Sequence, residues 1–249
     1  MLRVAKKVMR LNLSSAFFLL PFFFLCCAKE AATTPNPEPE PETPASFSRD
    51  TLTYLALGDS YTIGHSVSPE ERFPMQLANL LNKDSFHVSH VRIVAKTGWT
   101  TDELEAGIAS ANIADSTYSL VSLLIGVNNQ YRGRPVATYK PEFEALLQQA
   151  IAFAGGDRKR VFVVSIPDYA FTPFGKGNTN ISQGIDEYNA ANKEIADAYE
   201  IRYFNITPIS REGLDDPLLV ASDGLHPSGK QYYLWAQLML PGVKEMLKE

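Results

Sequence analysis

From Thr51 onward, apolar, strand-like runs alternate with segments whose apolar residues recur every three or four positions. The strand-like runs are Thr51–Leu57, Phe86–Val94, Leu120–Ile125 (LVSLLI), Val161–Ile166 (VFVVSI) and Ile201–Ile206, and each is predicted as a β-strand. Between them Phe73–Leu81 (FPMQLANLL), Thr101–Ala111 (TDELEAGIASA), Lys140–Ala154 and Ile185–Tyr199 carry helical spacing, and Ser228–Lys248 closes the chain as a further helix. Strands without polar alternation are buried on both faces, and helices between them supply the cover. The expectation is one α/β domain, residues 48–249, with a doubly wound sheet of five parallel strands and helices on both sides.

The start of the chain breaks this rhythm. Arg3, Lys6, Lys7 and Arg10 precede the apolar run Ala16–Leu25, which is too short to span a bilayer comfortably. Residues 1–27 therefore read as a signal peptide. The two cysteines of the chain, Cys26 and Cys27, stand at its end, where a bacterial lipoprotein signal places its lipidated residue. Cys27 is favoured because it leaves the small Cys26 before the cut, whereas Cys26 would leave the bulky Leu25 there. Residues 28–47 include AATTPNPEPEPETPAS, an extended Pro/Glu-rich tether that buries no core. The expected product is secreted and lipid-anchored in the bacterial cell envelope.

Composition narrows the rest. The chain is 45% hydrophobic and 20% charged, enough to build a core, with a formal net charge of −5. Losing the basic leader makes the remainder more acidic still, which disfavours nucleic acid as a partner. Adjacent cysteines in the leader leave the domain without a framework disulfide or a thiol nucleophile. No HExxH or cysteine–histidine pattern points to a metal, and Gly175-Lys176-Gly177 lacks the spacing of a phosphate loop.

In open parallel sheets, ligands bind beyond the carboxyl ends of the strands. The first strand stops abruptly in Gly58-Asp59-Ser60, with Gly64 after it in LALGDSYTIGHS. A serine there suits a helix cap equally well, so its chemistry depends on partners. A serine nucleophile needs a base, an acid that orients the base, and donors for the oxyanion. Of the four histidines, His87 and His90 fall on or beside the second strand and His65 comes just after the Gly64 turn. His226 differs, because Asp223-Gly224-Leu225-His226-Pro227 sets an acid three residues ahead of it, so that the carboxylate can fold back onto one ring nitrogen. Pro227 is expected to open the last helix. Gly98 after the second strand offers a backbone N–H, and Asn128 in Gly126-Val127-Asn128-Asn129 after the third offers a side-chain amide. Trp99, Tyr131 and the aromatics of Pro167–Gly175 suit either a substrate lip or loop packing.

These blocks, Gly58-Asp59-Ser60, Gly98, Gly126-Val127-Asn128 and Asp223-Gly224-Leu225-His226-Pro227, resemble in that order the four blocks of the SGNH (GDSL-type) hydrolases. The resemblance covers Thr51 to Glu249. It implies a flavodoxin-like sheet, serine-dependent ester hydrolysis and no metal or organic cofactor. It also implies Ser60 as nucleophile, His226 as base, Asp223 as its orienter, and Ser60, Gly98 and Asn128 as oxyanion-hole donors. Asn129 departs from the Asp common at that position, and Asp59 is expected to brace its loop. The resemblance spans esters of carbohydrates and of lipids. Acetyl or short-acyl esters of carbohydrates are the first expectation, a lysophospholipase or acyl-thioesterase the alternative, and a non-catalytic glycan-binding lipoprotein the rival from outside enzymology.

Overall fold

The computed structural model describes residues 51–248, so the expected signal peptide, Cys26, Cys27 and the linker lie outside the described residues. Within them the strands are β1 (Leu52–Gly58), β2 (Val88–Ala95), β3 (Leu120–Leu124), β4 (Val161–Val164) and β5 (Arg202–Phe204). They form one sheet in the order β2-β1-β3-β4-β5, and every neighbouring pair is parallel. This is the expected doubly wound α/β fold with flavodoxin-like order.

The longer helices are α2 (Phe73–Lys83), α3 (Thr101–Ser110), α5 (Val136–Phe153), α6 (Thr179–Ala198) and α8 (Gly229–Lys248), and the short ones are α1 (Ser60–Ile63), α4 (Val127–Tyr131) and α7 (Thr207–Ser210). The chain first moves outward from β1 through α2 to β2, then crosses back through α3 to β3 on the other side of β1. Right-handed crossovers in opposite directions place their helices on opposite faces. Thus α2 packs with α8 on one face, while α3, α5 and α6 pack side by side on the other.

The central strands behave as their composition demands. Tyr54–Leu57 of β1, and all of β3 and β4, are buried, because sheet and helices remove both faces from water. Edge strand β2 is instead mostly exposed or half-buried, with only Val88 and Val94 buried. It starts later than the apolar pattern suggests, because the Phe86 N–H bonds to the Leu81 carbonyl and closes α2 rather than extending the sheet. Similarly, β5 ends at Phe204, where Asn205 and the start of α7 turn the backbone away.

Three helix starts differ from expectation. Helix α5 begins at Val136 after Pro135 and tolerates Pro141 within it. In α6 the Asn178 side chain caps the Asn180 N–H and initiates helix through a polar stretch without apolar periodicity. Pro227 lies outside α8, bridged antiparallel to Val220, and Ser228 takes the capping position with its Oγ accepting the Gln231 N–H.

Candidate active site

The sheet's strand order reverses between β1 and β3, and the loops leaving β1, β2 and β3 converge outside that point. A cavity of about 230 Å³ opens there, lined by Ser60, Gly98, Asn128 and His226 together with Tyr131 and Phe174. The structure therefore gathers four of the predicted site residues around one space, although Ser60 and His226 lie at opposite ends of the domain. Asp223 stands behind His226, outside the lining.

Gly58 explains why β1 ends as it does. A Cβ at this position would lie 2.2 Å from Thr62 Oγ1 and 2.4 Å from the Leu124 carbonyl oxygen, so only glycine lets α1 fold back against β3. Asp59 then caps α1, its Oδ1 accepting the Tyr61 N–H at 3.0 Å. Its other oxygen is buried without a partner, and burial pushes its pKa up to about 7. Ser60 is the first residue of α1, where backbone N–H groups have no partner within the helix.

After β2, Gly98 adopts φ +88°, a left-handed conformation that favours glycine. Its carbonyl accepts from Arg132 Nη2 at 2.7 Å, which secures the loop to the residues after β3. Asn128 spends one side-chain N–H on the Trp99 carbonyl at 2.9 Å, which leaves the amide's second N–H for the cavity.

The Asn129 departure has a structural reason. Asn129 is buried, accepts the Thr101 N–H at 3.1 Å and donates to Thr101 Oγ1 at 2.7 Å. The Thr101 hydroxyl itself donates to Glu142, so its partner at position 129 has to be a donor, and an aspartate carboxylate has none.

His226 is buried, and its Nδ1 lies 2.7 Å from Asp223 Oδ2. That leaves Nε2 as the imidazole's second nitrogen. Burial lowers the His226 pKa below its ordinary value and outweighs the opposing Asp223 carboxylate. For Asp223, burial raises the pKa, but hydrogen bonds from Ser66, from the His226 and Leu225 N–H groups and from the imidazole prevail, and they hold it well below the carboxylate range. Ser66 was not visible to sequence reasoning; its one signal is that it closes the Gly64 turn. His65 is exposed, and its ring centroid lies 4.6 Å from that of His226. Potential ligand atoms of His65, Asp223 and His226 lie within 4.8 Å of one another, but Asp223 Oδ2 already receives both Ser66 and the imidazole, so a cation there would have to displace them.

The aromatics divide. Tyr131, Tyr169 and Phe174 border the cavity and touch one another, with centroids 6.2–6.3 Å apart. The Trp99 indole instead packs so closely on Gly107 of α3 that a Cβ there would lie 2.1 Å from it. His87 and His90 are exposed at the β2 edge, away from the cavity lining.

A hydroxyl, an imidazole backed by a carboxylate, and N–H donors opening on one pocket at the switch point define the class of serine hydrolases on a doubly wound sheet. Sequence comparison makes the class specific: residues 56–234 match the model of the GDSL-like lipase/acylhydrolase family, and the chain belongs to it. It is a serine-dependent carboxylic ester hydrolase. Comparison with curated protein sequences gives no match. Solved structures of similar fold include the psychrotrophic esterase EstA from Pseudoalteromonas sp., at 18% identity and TM-score 0.61, covering 80% of this chain and 100% of that one. The lipase Lip_vut3 from a goat rumen metagenome is 18% identical with TM-score 0.64, covering 77% and 97%. Axe2, an acetyl xylan esterase from Geobacillus stearothermophilus, is 22% identical with TM-score 0.56, covering 77% and 94%.

Proposed function

We propose that the protein removes acetyl or other short acyl groups from carbohydrate esters, with Ser60, His226 and Asp223 performing the chemistry. Ser60 Oγ attacks the acyl carbon while His226 Nε2 takes its proton. The carbonyl oxygen becomes an oxyanion, held by the N–H groups of Ser60 and Gly98 and by the Asn128 amide. His226 then passes the proton to the departing sugar hydroxyl, leaving an acyl-serine. Water, deprotonated by the same imidazole, releases the acid and restores Ser60. Asp223 keeps the Nδ1 proton in place, so that Nε2 is the basic nitrogen.

The observation that carries the substrate reading is the form of the cavity. Its volume of about 230 Å³ is below the roughly 300–1,000 Å³ usual for drug-sized ligands, so it suits a short acyl group. Tyr131 and Phe174, with 61% and 50% of their surfaces exposed, stand at its rim. Exposed rings there offer flat apolar faces to the C–H face of a sugar. Axe2, of similar fold, is an acetyl xylan esterase, which agrees in kind.

The deciding assay compares kcat/KM across nitrophenyl esters from acetyl to palmitoyl and across acetylated oligosaccharides. A preference for acetyl esters, strengthened by a sugar leaving group, supports the reading. A steep rise toward palmitoyl overturns it in favour of a lysophospholipid or acyl-thioester substrate. We also propose attachment to the cell envelope through lipidated Cys27, supported by the leader's charge and apolar pattern. Mass spectrometry of the mature N-terminus distinguishes Cys27 from Cys26.

A further inference from the structure

The Asp223 carboxylate is held from two directions. Its Oδ1 accepts the N–H groups of Leu225 and His226, both at 2.9 Å. Its Oδ2 accepts the His226 ring at 2.7 Å and the Ser66 hydroxyl at 2.7 Å. Four donors fill the roughly four acceptor positions of a carboxylate. Three of them come from the turn that Asp223 itself begins. The fourth comes from 157 positions away.

That fourth bond joins two separate parts of the site. Ser66 lies six residues after Ser60, beyond the short helix α1 and its left-handed cap at Gly64. Asp223 belongs to the loop that carries His226. Among the described residues, the Ser66–Asp223 bond is the sole side-chain hydrogen bond between residues 58–67 and residues 222–228. Ser66 makes it from φ +66°, a conformation that a residue with a Cβ rarely adopts. Strain of this kind persists where the surroundings require it, and it collects at functional sites.

We propose that Ser66 is a positioning residue for the reaction: it ties the nucleophile loop to the base loop through Asp223 Oδ2, and so fixes the plane of the carboxylate and with it the imidazole of His226. This rests on the roles proposed above for Ser60, Asp223 and His226. Neighbouring groups complete the clamp from other sides. The His65 ring lies against His226, and its Nδ1 sits 3.0 Å from Thr97 Oγ1. The Tyr61 ring lies 5.4 Å from His226 on the α1 side. Of the hydrogen bonds that Asp223 accepts, the one from Ser66 does most to hold the carboxylate ionised.

The test pairs Ser66→Ala, which removes the hydroxyl, with Ser66→Gly, which also relieves the backbone. Both should lower kcat on nitrophenyl acetate by about tenfold or more at unchanged KM, since small misplacements of reacting groups carry costs of this order. The acid limb of kcat/KM should move to higher pH, because a carboxylate relieved of the Ser66 donor stabilises the imidazolium of His226 more strongly. Thermal midpoints should hold in Ala and hold or rise in Gly. Near-wild-type kcat with an unmoved acid limb in both variants overturns the proposal. So does a loss of activity that tracks a fallen thermal midpoint and leaves the acid limb in place. Ser60→Ala and His226→Ala, assayed in parallel, separate the two levels: turnover retained in either removes the underlying assignment, whatever Ser66 does.

Discussion

Replacing Asp223 by asparagine preserves shape and removes charge, and the hydrogen bonds around the carboxylate decide how the site responds. An amide has one oxygen and one NH₂. If the NH₂ takes the Oδ1 side, it meets the N–H groups of Leu225 and His226, both fixed donors. If it takes the Oδ2 side, it meets the Ser66 hydroxyl, which can turn to accept, and the imidazole, which can shift its proton. The second arrangement costs less, and it forces the hydrogen of His226 onto Nε2. That nitrogen then cannot accept a proton from Ser60. Losing one charge-assisted hydrogen bond is worth about 1.5–3 kcal/mol, so kcat should fall by about 10- to 150-fold from this alone. The wrong tautomer adds to the loss, so asparagine should be more damaging than alanine, which leaves the imidazole free to choose. Steady-state kinetics of both variants on nitrophenyl acetate, with burst amplitudes to separate acylation from turnover, give the comparison. An asparagine variant within twofold of wild type, or one clearly faster than the alanine variant, would refute the reasoning.

Other perturbations test the same geometry. Ser60→Ala should abolish ester hydrolysis and fluorophosphonate labelling with an unchanged circular dichroism spectrum. Because burial lowers the His226 pKa from 6.5, and protonation removes the base as pH falls, the acid limb of wild-type kcat/KM should have its midpoint below 6.5. Asp59, pushed from 3.8 to about 7 in the fold, weakens the folded state as pH rises from about 4 to about 7. Denaturant titrations should therefore show Asp59→Asn gaining on wild type across that range by up to about 4 kcal/mol and levelling off above it. Alanine at Tyr131 or Phe174 should raise KM for acetylated oligosaccharides several-fold while leaving nitrophenyl acetate nearly unaffected, a contrast that parallel kinetics on the two substrates would test.

What could be read from the sequence was whatever depends on local repetition. Apolar runs such as Leu120–Ile125 and Val161–Ile166 announce buried parallel strands, since a chain covered on both faces has no polar alternation. The spacing of Asp223 and His226 is a local matter too, because three residues of turn suffice to bring carboxylate to imidazole. Elements of little more than one turn escape this logic: α1 and α4 have four and five residues, and the Asp59 cap on α1 and the packing of both, rather than hydrophobic pattern, hold them. The early start of α6 at its Asn178 cap belongs with them. Tertiary structure alone decided which distant groups share a space. Tyr131 ends α4, whereas Tyr169 and Phe174 come from the connection between β4 and α6, and Trp99, equally plausible by position, was claimed by Gly107. Ser66 meets Asp223 only because the sheet's reversal of order between β1 and β3 brings the first strand's loop beside the last helix, a consequence of crossover direction that no stretch of sequence encodes by itself.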